Sequence, residues 1–393
     1  MKKNLINECY KKAVELLIKN SDKNGLIASR QDEKSRKRNY NNIFGRDASI
    51  CVLGMVSSKN KRLINSAKKS IISLSIFQST NGQIPFYVNP KEKKSDFWYL
   101  GCIDSTLWWL IAIYYYDFYS GDKIKLNKKL TIKIKKAINW LECQEHPKFF
   151  LLQQNEASDW ADIMPRSGFV LYSNTLWCWV KKLYELKTAD KTKENFNYVF
   201  YPWQKIPSSY FKKNHRAKRL INYIKRGEKK DCLLSFANFS FWGEDDDVYG
   251  NILACLAGLI DKKQAEKIIK YFIYKKANIP YPLKSCLNPI LKNSKNWRRY
   301  MENHNLNYPN QYHNGGIWPF IGGFWVITLY KQGKKFLAGK ELEKFALANK
   351  INGWQFNEWL HGKTGKPMGM KGQSWNAANF ILAYHYLKGD FKL

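Results

Sequence analysis

In the run SDWADIMPRSGF (residues 158–169) Asp162 stands between Trp160 and Met164, and in FNEWLHGKTG (residues 356–365) Glu358 stands between Phe356 and Trp359. Apolar neighbours of this kind desolvate a carboxyl group, raise its pKa and let it keep a proton near neutrality. Two carboxyl groups are what the cleavage of a glycosidic bond usually requires: one protonates the departing oxygen, the other, ionised, activates a water. Asp162 is the candidate acid and Glu358 the candidate base. If they act with inversion, they should face one pocket at a separation of about 6.5–9.5 Å, which leaves room for the water. Plainer uses compete with this one. Asp159 or Asp162 could cap the next helix or pair with Arg166, and Glu358 could pair with a nearby lysine. Spacing alone does not choose between them.

A saccharide presents C–H faces and many hydroxyls, so a site for one needs aromatic plates beside fixed polar groups. The run YPNQYHNGGIWPFIGGFW (residues 308–325) supplies both, with six aromatic rings, a histidine and two asparagines. Trp98, Trp160, Trp242, Trp318, Trp354, Trp359 and Trp375 all fall in or beside comparable loops. Arg46, Asp47, Asp104, Arg166, His313, Asn314 and Gln373 offer hydrogen-bonding groups in the same loops. Any one of these tryptophans serves a core as readily as a ligand; their common placement is the signal.

The elements that must position these loops are helical. Apolar residues recur at helical spacing, as in Leu63, Ala67, Ile71 and Leu74, or Ala265, Ile268, Ile269 and Phe272. The pattern predicts twelve helices, at roughly 5–20, 47–57, 61–78, 103–118, 128–145, 169–187, 211–226, 249–260, 263–276, 316–332, 336–350 and 373–388. Their connections alternate. Short polar turns such as SSKNK and KQGKK follow even-numbered helices, whereas long loops rich in aromatics, Gly and acids precede them. Helices that run alternately up and down place every second connection at one end. The elaborate loops therefore gather on one face, and six helical hairpins closed into an all-α (α/α)6 toroid fit best. A single catalytic domain over residues 1–393 is expected, with 188–209 as a long surface connection.

Composition narrows the partners. Hydrophobic residues at 45% and charged residues at 25% suit a globular chain and disfavour disorder. The N-terminus MKKNLINECYKKAVELLIKNSD mixes leucines with charges at helical spacing, unlike a secretory leader, and no apolar run reaches the roughly 20 residues of a membrane span. Eight cysteines and six histidines show no metal-ligand spacing, so neither metal nor cofactor is expected, and a cytoplasmic location is the default. The net charge of +34 would suit a nucleic-acid partner. The lysines, however, are spread along the chain with no RNP, helix-turn-helix or zinc-finger signature, so a small saccharide or α-glucan is the expected partner.

Several segments also resemble known sequences. YNNIFGRDASICVLGM is similar to the Y-N-x-V-F-x-R-D segment of neutral/alkaline invertases, IDSTLWW to their V-D-S-G-L-W-W, and YHNGGIWP to their Y-H-N-G-G-S-W-P. YGNILACLAGL and FNEWLHGKTGKPMGMKGQSW continue the likeness in order. Trp160-Ala161-Asp162 and Asn174-Thr175-Leu176-Trp177 resemble the W-M-D and N-A-L-W motifs of the amylo-α-1,6-glucosidase domain of glycogen-debranching enzymes. The resemblance implies an inverting (α/α)6 glycosidase with Asp162 as acid and Glu358 as base. It also implies sugar contacts from Arg46, Asp47, Asp104 and the His313-Asn314 turn; the loop composition adds Trp160, Arg166, Trp318, Gln373 and Trp375 as candidate sugar-binding residues. Two departures stand out. Met164 and Pro165 intervene before Arg166 where the invertases place an Arg pair directly after Asp, which keeps Asp159 as an alternative acid. Leu171-Tyr172-Ser173 replaces a Glu-containing stretch, which leaves the sugar open. Sucrose or a small α-glucoside is the expected substrate, with an α-1,6-linked glucan branch as the alternative and a non-catalytic sugar binder or epimerase as the different class.

Overall fold

A helix such as Ile103–Tyr119, IDSTLWWLIAIYYYDFY, has no polar face and must be enclosed on all sides, whereas Lys61–Ile76 buries one stripe and leaves the other wet. These two kinds of helix alternate along the chain. The computed structural model describes residues 3–29, 33–98 and 102–393. Its principal helices are α1 (Lys3–Lys19), α2 (Gly45–Ser57), α3 (Lys61–Ile76), α4 (Ile103–Tyr119), α5 (Lys128–Cys143) and α6 (Leu171–Leu183). They continue as α7 (Ala189–Phe200), α8 (Val248–Leu256), α9 (Lys262–Tyr274), α10 (Pro319–Lys331), α11 (Lys335–Trp354) and α12 (Ser374–Lys388). The even-numbered helices are buried nearly throughout and pack in sequence, α2 on α4, α6, α8, α10 and α12 in turn, with α12 returning to α2. The odd-numbered helices lie outside them. The fold is the expected (α/α)6 toroid.

Because every even helix enters from the same end, their N-termini share one face with the long loops. Short antiparallel pairings knit those loops into a rim. Ile43–Phe44 pairs with Tyr87–Asn89, Phe169–Val170 with Phe236–Ala237, and isolated bridges join Asp247 to Cys286, Ile317 to Leu360 and Ser29 to Gln373. Each of these links the loop before one inner helix to the loop before a neighbour. Helical periodicity carries no trace of strands only two or three residues long.

One expectation is corrected. Residues 188–209 are not a surface connection: they contain α7, whose Phe196, Val199 and Phe200 are buried. The spacing i, i+3, i+4 makes an apolar stripe, which the polar residues around it mask. The helix expected at 211–226 is broken at Asn214 into Ser208–Lys213 and His215–Ile224; the latter packs behind α7, and the Asn214 side chain caps it through the Ala217 N–H at 3.1 Å.

Closure rests on close backbone approach. A Cβ placed on Gly54 of α2 would lie 2.0 Å from the Ala378 carbonyl oxygen of α12, and one on Gly323 of α10 would lie 2.7 Å from the Asn379 carbonyl oxygen. α12 is thus clasped between two glycines. Gly54→Ala must part the α2–α12 seam and is expected to lower the unfolding free energy by about 1–3 kcal/mol. A urea midpoint equal to that of the parent would show that the seam yields without strain.

Candidate active site at the mouth of the toroid

Glu358 lies on the loop entering α12, where Trp359–Leu360 turns back on Pro367–Met368. Its carboxyl group is held at both oxygens. The Tyr40 hydroxyl donates to Oε1 at 2.5 Å and the Met370 N–H to Oε2 at 2.9 Å. Gly369 makes this possible: its φ is +72°, and a Cβ there would sit 2.4 Å from Glu358 Oε2. Burial pushes the Glu358 pKa up to about 7, against the two hydrogen bonds, which favour the charged form.

Asp162 lies on the loop entering α6 and keeps 19% of its side chain exposed. Its Oδ1 is 3.6 Å from His313 Nδ1. Burial lifts its pKa to about 7; Arg46 opposes the rise, while the charges of Glu358, Asp159 and Asp104 add to it. His313 does not supply a compensating cation. Burial, then Arg46 and Arg166, hold its pKa well below the usual histidine value, so it is neutral near pH 7. Asp159, the alternative acid, is otherwise engaged: Oδ1 accepts from the Ala161 N–H at 2.8 Å and Oδ2 from Gln154 at 3.0 Å.

Tyr312 feels both carboxyl groups: burial, and then the charges of Asp162 and Glu358, raise the pKa of its hydroxyl. Its ring centroid is 4.0 Å from that of His313, 5.1 Å from Trp318 and 5.8 Å from Trp359. His313 stacks on Trp318 at 5.0 Å, and Trp160 meets both edge-on. Trp375 stacks on Phe320 at 4.1 Å. Below this cage Arg46 reaches Asp104 and Asp47, each at 3.3 Å, and Tyr172 donates to Asp104 at 3.1 Å. Asp104 is pushed up to about 6 by burial, which Arg46 only partly offsets.

Several polar atoms here are buried without a hydrogen-bond partner among the described residues: both ends of the Gln373 amide, the indole N–H groups of Trp160 and Trp375, Asp104 Oδ1 and His313 Nδ1. Buried polar groups are normally satisfied, so such a concentration is suited to a ligand rich in hydroxyls. Arg46, Asp47, Asp104, Trp160, His313, Trp318, Gln373 and Trp375 lie buried among these groups.

Arg166 and Asn314 are engaged elsewhere. Arg166 is sequestered, donating to Asp245 at 2.7 Å and lying 3.3 Å from Asp247. Asn314 accepts from the Ile290 N–H at 2.7 Å and donates to the carbonyls of Ile290 and Asn307 at 2.9 and 3.1 Å. Both brace the rim. Sequence reasoning assigned no role to Tyr40, Tyr172 or Tyr312. Tyr40 and Tyr312 open the quoted runs YNNIFGRD and YHNGGIWP, and that position was the available signal.

The closed ring of six hairpins is the (α/α)6 toroid, a fold that solved glycosidases share. The GH63 mannosylglycerate hydrolase of Thermus thermophilus superposes with a TM-score of 0.64 at 14% identity, covering 95% of this chain and 99% of that one. A bacterial glucoamylase solved with acarbose gives a TM-score of 0.62 at 14% identity, over 98% of this chain and 56% of its own. Within that class the chain resembles the plant invertases: residues 241–389 match the family model described as alkaline and neutral invertase. The mitochondrial neutral/alkaline invertase 1 of Oryza sativa subsp. japonica is 28% identical over 137 residues, and the mitochondrial alkaline/neutral invertase C of Arabidopsis thaliana 29% over 139. Each alignment takes in 34% of this chain, and the chain spans 21% of the rice protein and 20% of the Arabidopsis one. The family match includes Tyr312, His313 and Glu358; Arg46, Asp104 and Asp162 lie before it.

Two titration results are expected. Tyr40→Phe removes a donor to the Glu358 carboxylate and should move that group's pKa further up from about 7, read by carboxyl-carbon NMR. A fall would show that the hydroxyl does not stabilise the ionised form. Asp162 binds its proton more tightly folded, at about 7, than at its ordinary 3.8, so stability present at low pH is lost as pH rises through that window. Asp162→Asn should therefore melt at a higher temperature than the parent near pH 8, with the gap closing towards about pH 4. A gap of the same size at both ends would exclude this linkage.

Proposed function

We propose that this protein is an inverting glycoside hydrolase whose single domain acts on sucrose or a small α-glucoside, with Asp162 as general acid and Glu358 as general base. The observation that carries the reading is the pair itself: two buried carboxyl groups, each lifted to about 7, with the charge of Glu358 adding to the rise of Asp162 and the charges of both raising the Tyr312 hydroxyl. Their surroundings separate the roles. Glu358 receives two hydrogen bonds, which favour its ionised form and aim it as a proton acceptor. Asp162 has the neutral His313 at 3.6 Å, has Glu358, Asp159 and Asp104 raising its pKa, and retains the exposure that a donor to an incoming oxygen needs.

In this reading the sugar lies in the cage of Trp160, Trp318 and Trp375. Its hydroxyls meet Arg46, Asp47, Asp104 and Gln373, and its glycosidic oxygen meets Asp162. Asp162 gives up its proton as that bond breaks; Glu358 takes a proton from water attacking the opposite face, so the anomeric configuration inverts. A bound sugar would exclude water and strengthen each of these electrostatic contacts. The preference for a small substrate is supported by burial of the cage, where Trp160, Trp318 and Trp375 are at most 4% exposed. The similarity to invertases favours sucrose among small sugars.

Purified protein should hydrolyse one of sucrose, isomaltose, limit dextrin or glucosylglycerate. Asp162→Asn and Glu358→Gln should each lower kcat by about 10²–10⁴-fold with ligand binding retained. NMR of the first-formed product should show the inverted anomer. Retained configuration, or an Asp162→Asn protein with parental turnover, would overturn the assignment; turnover only on limit dextrin would move the substrate to an α-1,6 branch.

A further inference from the structure

The toroid has a second end. There the last turns of α4, α6, α8 and α10 surround a cleft of about 470 Å³, within the range of small-molecule sites. We propose that this cleft, at the end opposite the carboxyl pair, binds a small phosphorylated molecule that carries a flat or apolar ring.

The ring half of the proposal rests on a built aromatic surface. Tyr119 stacks on Phe391 at 4.1 Å and lies nearly parallel to Tyr115 at 6.4 Å, while Trp179 packs edge-on against Tyr115. The Tyr119 hydroxyl is fixed between the Lys392 N–H and carbonyl, at 2.9 and 3.0 Å. Beside this stack Phe118 stays 65% exposed, its ring 4.9 Å from Tyr119. An apolar ring left in water beside a rigid plate offers a second face to a ring laid against it.

The anionic half rests on charge. Lys182, Lys331 and Lys392 line the cleft, no acidic side chain does, and none of the three has a carboxylate partner among the described residues. Lys331 donates to the Leu256 carbonyl at 2.7 Å, which fixes its ammonium group at the wall. Burial, and then the charge of Lys182, push its pKa below the usual lysine value. A phosphate between the two ammonium groups would relieve that repulsion and gain charge-assisted hydrogen bonds. Nucleoside monophosphates carry a flat ring beside the phosphate, and phosphorylated monosaccharides present the apolar C–H face of theirs to the same aromatic surface.

Calorimetric titration of the full chain with glucose 6-phosphate, AMP and inorganic phosphate tests the site and separates the two sources. One of the ring-bearing phosphates should bind more tightly than inorganic phosphate, and Phe118→Ala and Lys182→Met should each weaken it by about tenfold. Both side chains are exposed and lie away from the carboxyl pair, so melting temperature and turnover should stay parental. The proposal fails if neither ring-bearing phosphate binds, if inorganic phosphate binds equally well, or if binding survives both substitutions. It also fails if the cleft is closed in solution by a second copy, seen as a concentration-dependent dimer that Phe118→Ala dissolves.

Discussion

The seam between α2 and α12 is the contact on which the closed ring stands. A ring of helices that does not close is an open, apolar surface; closed, it encloses its own core and gives six helix N-termini a common centre. Closure needs the first and last inner helices to meet at backbone distance, and Gly54 against Ala378 provides it. The consequences run up to the rim. Asn20 donates to the Gly372 carbonyl and to Ser374, Ser374 donates to Ile27, and Tyr40 reaches Glu358 across 318 residues of chain. The candidate base is positioned by a residue from the other end of the sequence.

Enclosure also explains the electrostatics. Asp47, Asp104, Asp162 and Glu358 are gathered in a chamber where burial raises the pKa of all four, with Arg46 as the cation that restrains Asp47, Asp104 and Asp162. In water such groups would be ionised and inert as acids; removed from it, two of them hover near neutrality. That arrangement opposes folding at high pH. A site of this kind persists only where a rigid surround imposes it, and the stacked rings of His313, Trp318, Phe320 and Trp375 supply the rigidity.

Much of the architecture was legible because two periodicities were written in the chain. One was the helical recurrence of apolar residues; the other was the alternation of plain and elaborate loops, which fixed the parity of the helices. Composition masks pattern in KTKENFNYVF, whose buried stripe of Phe196, Val199 and Phe200 is hidden by polar neighbours. Residue type is also ambiguous where one type serves two purposes. Arg166 and Asn314 have the chemistry of sugar contacts, yet the structure commits both to neighbours from distant loops, Asp245 in one case and Ile290 in the other. No local pattern announces such pairings.

Residue type and near-neighbour spacing were enough for the class of fold, the loops that form the mouth and the short list of acids, because each of these is a local property of the chain. How each of the two neighbouring acids is engaged depends on three dimensions. Asp159 and Asp162 are three residues apart in equally apolar company, but Asp159 folds back on the Ala161 N–H and Gln154 while Asp162 meets His313 and feels Glu358. That difference depends on which groups arrive from far along the chain, and the closed ring is what delivers them.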